Sequence, residues 1–200
     1  MNNTITLNKT KTIVQLELDD CSFNPREADK VTTIYAEHKR YNFSEVETYN
    51  NCESWNEVYK NIVTEYNPVL IYPLYMLDHS CIRLSISNFN DRWDSGQVGF
   101  IFITRKDMQK YYGFKNLTSK RKELLKNALN AELKTYNQYI NGEVYCLTVY
   151  NRFEDTCGHI VDDYEDSLGG LYLETSEDVP KYIKEYFNLN PDEYELKEIA

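Results

Sequence analysis

The sequence predicts an α+β fold, a mainly antiparallel sheet with three or four helices packed on it. Three observations carry that. From Ser54 the apolar residues recur at helical spacing, and between Val69 and Ile103 three apolar runs of strand length follow one another. Strands and helices follow one another without regular β-α-β alternation, which argues against a wound parallel sheet.

In chain order, residues 5–7 and 13–18 alternate apolar with polar or long side chains, the pattern of a half-buried strand. A polar turn over residues 19–25 follows, and residues 31–38, rich in β-branched types, read as extended chain with a short helix as the alternative. Ser54-Trp55-Asn56-Glu57 has the form of a capping box, in which the Ser oxygen and the Glu carboxylate satisfy orphan amides at a helix start. Trp55, Val58, Tyr59, Ile62, Val63 and Tyr66 then form one apolar stripe, which is expected to face a sheet. Asn67-Pro68 ends that helix, and residues 69–77, 81–86 and 98–103 read as three successive antiparallel strands.

Thr104-Arg105-Lys106-Asp107 repeats the capping spacing and opens a short helix ending near Gly113. A long helix is expected from 119 to about 139, with Leu124, Leu125, Ala128, Leu129, Tyr136 and Ile140 on its apolar face. Asn141-Gly142 stops it. Residues 144–149 form a further strand, Gly169-Gly170 a turn, and 171–173 a short closing strand. A last helix from about Glu177 carries Val179, Tyr182, Ile183, Tyr186 and Phe187, with Pro180 tolerated in its first turn.

An apolar content of 42% over 200 residues fits a single domain, 1–200, with an acidic C-terminal segment at 151–200. No run approaches the ~18 apolar residues of a membrane span, and the N-terminal residues lack a signal-peptide core. The expected location is the cytoplasm of the host cell. The five cysteines, Cys21, Cys52, Cys81, Cys146 and Cys157, form no metal-binding pattern and read as free thiols. Charge is segregated: residues 151–200 hold 14 Asp and Glu against four Lys and Arg, while 1–150 balance at 18 of each. Such a segment repels nucleic acid and attracts basic protein surfaces, so direct DNA binding is disfavoured and a protein partner is favoured.

Five motifs stand in order along the chain: Asn24-Pro25-Arg26-Glu27 with Asp29; His38-Lys39-Arg40-Tyr41-Asn42; Pro73-Leu74-Tyr75 with Asp78-His79-Ser80; Trp93-Asp94-Ser95-Gly96-Gln97-Val98-Gly99-Phe100-Ile101; and Glu132 with Tyr136-Asn137-Gln138-Tyr139 and Gly142-Glu143-Val144-Tyr145. With these the chain resembles a family of small accessory proteins of phages and plasmids, over roughly residues 13 to 173. The resemblance implies a mobile-element context more than a chemistry. The chain departs from the family at Ala28, where a Trp is common, and at Leu168 to Tyr172, where the family has a more aromatic stretch.

Catalysis finds little support. There are three histidines, no P-loop, no G-x-S-x-G and no H-E-x-x-H, so neither a catalytic residue nor a cofactor is assigned. Asp19, Asp20, Asn24, Glu27 and Asp29 form an oxygen-rich turn of the type hard cations prefer, if Asp78 and His79 join it; its plainer interpretation is a polar turn. Residues 93–99 admit two interpretations. In one, Asp94, Ser95 and Gln97 face a ligand beside an aromatic wall; in the other, Gly96 and Gly99 fix strand register and Trp93 packs against a helix. The basic cluster Lys115, Lys120, Arg121, Lys122 and Lys126 opposes the dipole of its own helix and asks for a compensating partner, either nucleic acid or the acidic segment.

Asp162, Asp163, Tyr164, Glu165 and Asp166, reinforced by Glu154, Asp155, Glu174, Glu177 and Asp178, give an acidic run able to imitate a phosphate backbone. The leading expectation is therefore an anti-defence inhibitor, an anti-CRISPR or antirestriction protein that binds a host nuclease effector stoichiometrically by nucleic-acid mimicry. Its partner-binding residues are Trp93, Asp94, Gln97, Asp155, Asp162, Asp163, Glu165, Asp166 and Glu174. The alternative is a divalent-metal or small-ligand-binding accessory protein of a mobile element.

Overall fold

The computed structural model describes residues 8–49 and 51–198. Its elements in chain order are β1 (Asn8–Leu18), β2 (Thr33–Ala36), α1 (Trp55–Tyr66), β3 (Pro68–His79), β4 (Cys81–Ser85), β5 (Ser95–Thr104), α2 (Arg105–Tyr112), α3 (Ser119–Ile140), β6 (Tyr145–Glu154), β7 (Ile160–Leu171), α4 (Val179–Phe187) and β8 (Tyr194–Glu198). Among the described residues these are four α-helices and eight strands in two mostly antiparallel sheets, an α+β fold as the sequence predicts. The strand expected at residues 5–7 lies outside the described residues. No described helix is long and apolar enough to cross a membrane.

Where the sequence reads as one domain, contacts divide the chain into two compact units, one of Met1–Phe23 with Gly142–Ala200 and one of Asn24–Asn141. The reason is strand pairing. β1 runs antiparallel to β6 and parallel to β8, which draws the N-terminal strand into the C-terminal sheet and leaves the middle of the chain to close on itself.

In the Asn24–Asn141 unit the sheet order is β2-β5-β3-β4, antiparallel throughout. β5 is central and buried from Val98 to Ile103 because helices cover both of its faces, so its sequence reads as a continuous apolar run. Phe100 and Phe102 join Val58 and Ile62 of α1 on one side, while Ile101 joins Leu129, Leu133 and Tyr136 of α3 on the other. Ile103, Met108 of α2 and Leu125 extend that second layer.

The predicted caps form with one adjustment. The Ser54 hydroxyl accepts the Glu57 N–H at 3.4 Å, but the Glu57 carboxylate reaches back one residue further, to the Glu53 N–H at 3.0 Å. Thr104 caps α2 and Gly113 ends it at φ 65°. Leu124 is exposed, and Leu133 takes its expected place on the buried stripe of α3.

In the other unit the order is β7-β6-β1-β8, and α4 covers one face through Val179 and Ile183, packed on Val14, Leu16, Leu147 and Val149. Two expectations are corrected. Gly169 and Gly170 are not a turn but a bulge near the end of β7, which runs unbroken from Ile160 to Leu171. The Asp19 carboxylate occupies the space a Cβ on Gly169 would fill, at 2.7 Å, and accepts the Gly170 N–H at 2.7 Å, with Gly170 at φ 70°. The closing strand expected at 171–173 is corrected with it: Leu171 ends β7, and the acidic run, to which the sequence assigns no element, lies within that strand.

Candidate partner-binding surfaces

Residues 93–99 form the entry to β5. The Asp91 carboxylate accepts the N–H groups of both Trp93 and Asp94 at 2.8 Å, and these bonds hold its carboxyl below the usual carboxylate range. This turn projects the indole outward: Trp93 is 93% exposed, so the expectation that it packs against a helix is overturned. Gly99 fixes register by its close approach to β2, whereas Gly96 pairs with Met76 and has open space around it. Val98 is the extra residue on β5 between the pairs Leu74↔Gly99 and Tyr75↔Gln97, and its carbonyl accepts the Glu37 N–H at 2.8 Å. A Cβ on Gly99 would lie 1.9 Å from the Tyr35 carbonyl oxygen.

Around this entry lies a cleft of about 300 Å³ lined by His38, Arg40, Met76, Asp78 and residues 93–98. Three of the motif segments quoted above thus meet at one place. Arg40 pairs with Asp78 and lies over the Tyr41 ring at 5.4 Å, and His79 shares a 2.7 Å bond with Asp94. Gln97 spends its amide N–H on the Gly99 carbonyl at 3.1 Å. Asp94 and Gln97 are thus brought together beside Trp93, although each already holds an internal partner.

The second surface is β7. Asp155-Thr156-Cys157-Gly158 makes the β6–β7 hairpin: Gly158 N–H donates to the Asp155 carbonyl at 3.0 Å, Gly158 takes φ 83°, and Asp155 N–H donates to the His159 carbonyl at 2.8 Å. The Asp155 carboxylate accepts the N–H groups of Cys157 and His159, each at 2.8 Å. Asp162 stands opposite Arg152 and accepts a bidentate guanidinium bond at 2.6 Å on both oxygens. Asp163 pairs in register with Asn151 and points to the other face; Glu165 occupies a bulge, and Asp166 stands opposite Val149. Residues 160–167 are all exposed.

The acidic side chains therefore fall on both faces of one strand. Asp155 and Asp162 are structural partners, whereas Asp163, Glu165 and Asp166 present carboxylates to solvent. Glu174 is exposed beyond the strand, where its N–H donates to Asp178 at 3.3 Å. The unit that holds β7 carries 18 Asp and Glu against six Lys and Arg, a net of −12, and the other carries 14 against 16, a net of +2.

Comparison with models of protein families, with curated proteins and with solved structures finds no match to this chain.

Asp19, Asn24 and Asp29 of the oxygen-rich turn, and Asp78, each hold a partner within their own unit. Asp19 accepts from Cys21 and Gly170, Asn24 from the Arg26 N–H, Asp29 from Tyr111 and Lys110, and Asp78 from Arg40. Among the described residues no group of three or more His, Cys, Asp and Glu is placed to hold a metal ion. The basic cluster lies at the start of α3, where Arg121 donates to the Asn116 carbonyl at 2.9 Å and covers the Phe114 ring at 4.6 Å.

Sequence reasoning missed the hairpin that presents β7. Its signal was Asp-x-x-Gly between two segments of strand length, a turn with a defined mechanism. It missed β8 as well, whose alternation of Tyr194, Leu196 and charged residues is only five residues long.

Proposed function

We propose that the chain is a stoichiometric inhibitor of a host nuclease effector, of the anti-CRISPR or antirestriction class, which offers an acidic strand to a basic nucleic-acid groove. The observation that carries this is the exposure of Asp163, Glu165 and Asp166 on a single outer strand of a unit with net charge −12. Pairing with β6 and the Arg152–Asp162 ion pair fix that strand before any partner arrives, which lowers the ordering cost of binding. A concentrated like-signed field steers a basic partner and makes the encounter rate fall with salt. The resemblance to phage and plasmid accessory proteins supplies the context in which a nuclease is the basic partner.

The test is the triple reversal Asp163→Lys, Glu165→Lys, Asp166→Lys, assayed for protection of a nuclease-sensitive plasmid or phage in the host. Asp162 is left alone because its reversal would set a second cation against Arg152 and disturb the fold. The triple variant is expected to lose protection, and the unmodified chain to capture its partner from lysate at low but not at high salt. Protection that survives all three reversals would sink the proposal.

The cleft beside Trp93 supports a second reading, as a small-ligand pocket. An indole held almost wholly in solvent beside Asp94 and Arg40 can serve as the aromatic wall of such a pocket. Trp55, the other tryptophan, is half-buried, so a ligand in the cleft should change the fluorescence of Trp93 and leave a Trp93→Phe variant unresponsive.

A further inference from the structure

An outer strand leaves a row of backbone N–H and C=O groups without partners, and natural sheets cover, shorten or charge such edges. The Asn24–Asn141 unit closes both of its edges with side chains. On β4, the Asn137 carboxamide accepts the Leu84 N–H at 2.7 Å and donates to its carbonyl at 2.9 Å, and Asn141 does the same for Ile82 at 2.9 and 2.7 Å. On β2, Ile34 N–H donates to the Glu45 carboxylate at 2.8 Å, the Ile34 carbonyl accepts the Glu45 N–H at 2.9 Å, and Ala36 N–H donates to Ser44 at 3.2 Å. β7 is built otherwise: it is 12 residues long, borders only β6 among the described residues, and is exposed along residues 160–167.

The hairpin decides which β7 groups face outward. Because Asp155 N–H bonds to the His159 carbonyl, the hydrogen-bonded rungs of the antiparallel ladder recur at Phe153↔Val161 and Asn151↔Asp163. The N–H and C=O of Ile160, Asp162 and Tyr164 then point away from β6. One position further on, past the bulge at Glu165, the Ser167 N–H turns to the carboxylate of Asp166 at 2.8 Å, as an amide outside the ladder does.

We propose that β7 is a strand-addition edge, which accepts from the partner an extended segment of Lys or Arg alternating with apolar residues. The proposal rests on the acidic strand being a protein-binding surface and adds how it binds. Main-chain bonds to Ile160, Asp162 and Tyr164 supply a common grip, and side chains supply the choice of segment. Asp163, Glu165 and Asp166 select cations, while Ile160 and Tyr164, 57% and 58% exposed, offer apolar contact beside them. A second copy of this chain is the wrong occupant. Antiparallel self-pairing would set the run from Asp162 to Asp166 against itself, and like charges directly opposite across strands destabilise the pair.

The probe is a short peptide of alternating Lys and Val added to the full chain, beside the same peptide methylated at every backbone nitrogen and one of alternating Glu and Val. Amide hydrogen exchange reads the outcome residue by residue. The Lys-Val peptide is expected to slow exchange at Ile160, Asp162 and Tyr164 and to leave Val161 and Asp163, already in the ladder, unchanged. The methylated peptide, equal in charge, should bind at least about tenfold more weakly, and the Glu-Val peptide not at all. Tyr164→Pro removes one outward N–H without altering charge, at a type of position where an edge tolerates proline; while its circular dichroism stays that of the parent, it should lose a similar factor. Equal binding of the methylated peptide, unchanged binding by folded Tyr164→Pro, or no protection at these three amides overturns strand addition. None of those results touches the inhibitor reading, which stands or falls on the Lys reversals.

Discussion

Asn137 of α3 is paired with the backbone of Leu84 through both halves of its carboxamide, and Asn141, one helical turn on, is paired in the same way with Ile82. The match is metric. Four residues of helix advance about 6 Å and two residues of strand about 6.6 Å, so asparagines at i and i+4 meet strand residues at i and i+2 and take the place of a further strand. Asn137→Ala leaves a part-buried donor and acceptor of Leu84 unpaired. Urea unfolding should register a loss of about 1–3 kcal/mol, with hydrogen exchange at Ile82 and Leu84 accelerated ahead of global unfolding. Asn137→Asp keeps the acceptor, loses the donor, and is expected to fall between the two.

Gly96 and Gly99 stand three positions apart on β5 and should respond in opposite ways to alanine. A Cβ at Gly99 would sit 1.9 Å from the Tyr35 carbonyl oxygen and 2.8 Å from the Ala36 Cα, both backbone atoms that cannot turn aside. The β2–β5 pair must separate, so Gly99→Ala is expected to cost about 3 kcal/mol or more. At Gly96 nothing lies within 4 Å, and Gly96→Ala should leave the thermal midpoint unchanged or raise it slightly. A destabilised Gly96→Ala beside a tolerated Gly99→Ala would contradict the bulge geometry.

The sequence made the middle unit legible because its signals are local and agree with one another. Ser54, Thr104 and Gly113 punctuate helices, and the runs between them are apolar at the right period. The C-terminal sheet was illegible for the opposite reason. Residues 162–166 have almost no strand propensity; they are extended because the Asp155 hairpin lays them beside β6, and nothing in a local window reports that partner. Trp93 misled in a different way. Aromatic residues in a patterned segment are usually buried, and only the backbone cap supplied by Asp91, two residues earlier, turns this one outward.

Arg26 was legible as a motif residue and not as what it is, the hub of a buried ion-pair triad. It is 5% exposed, and all five of its N–H groups are used: on Glu45 twice at 2.8 Å, on the Thr32 hydroxyl and Glu132 at 3.0 Å, and on the Thr32 carbonyl at 2.9 Å. Glu132 also accepts the Val31 N–H at 2.7 Å, which ties the loop to α3. Arg26→Met takes the guanidinium from two part-buried carboxylates, of which Glu45 keeps the Lys30 ammonium at 2.9 Å, and is expected to cost about 3–5 kcal/mol. Arg26→Lys keeps the charge but cannot serve both glutamates with fixed forks, so it should recover only part of that loss. The check is denaturant unfolding of both variants beside Arg26→Met with Glu132→Gln, which should recover stability relative to Arg26→Met alone.

Acid should open the β6–β7 hairpin through two carboxyls of defined partners. The N–H of His159, and after it that of Cys157, hold the Asp155 carboxyl below its ordinary range, and the Arg152 guanidinium does the same for Asp162. Both folded-state values are depressed, so both contributions are present above the unfolded value near ~3.9 and are lost as pH falls through the lower folded value. The Cys157 amide signal should therefore keep its folded position from neutral pH down to about 4 and move towards its unfolded position only below it. Asp155→Asn retains the acceptor oxygen and removes the titration, so its hairpin should persist with a weaker turn and without that acid step. An acid step of unchanged size in Asp155→Asn would assign the transition to Asp162 alone, which Arg152→Met would then abolish.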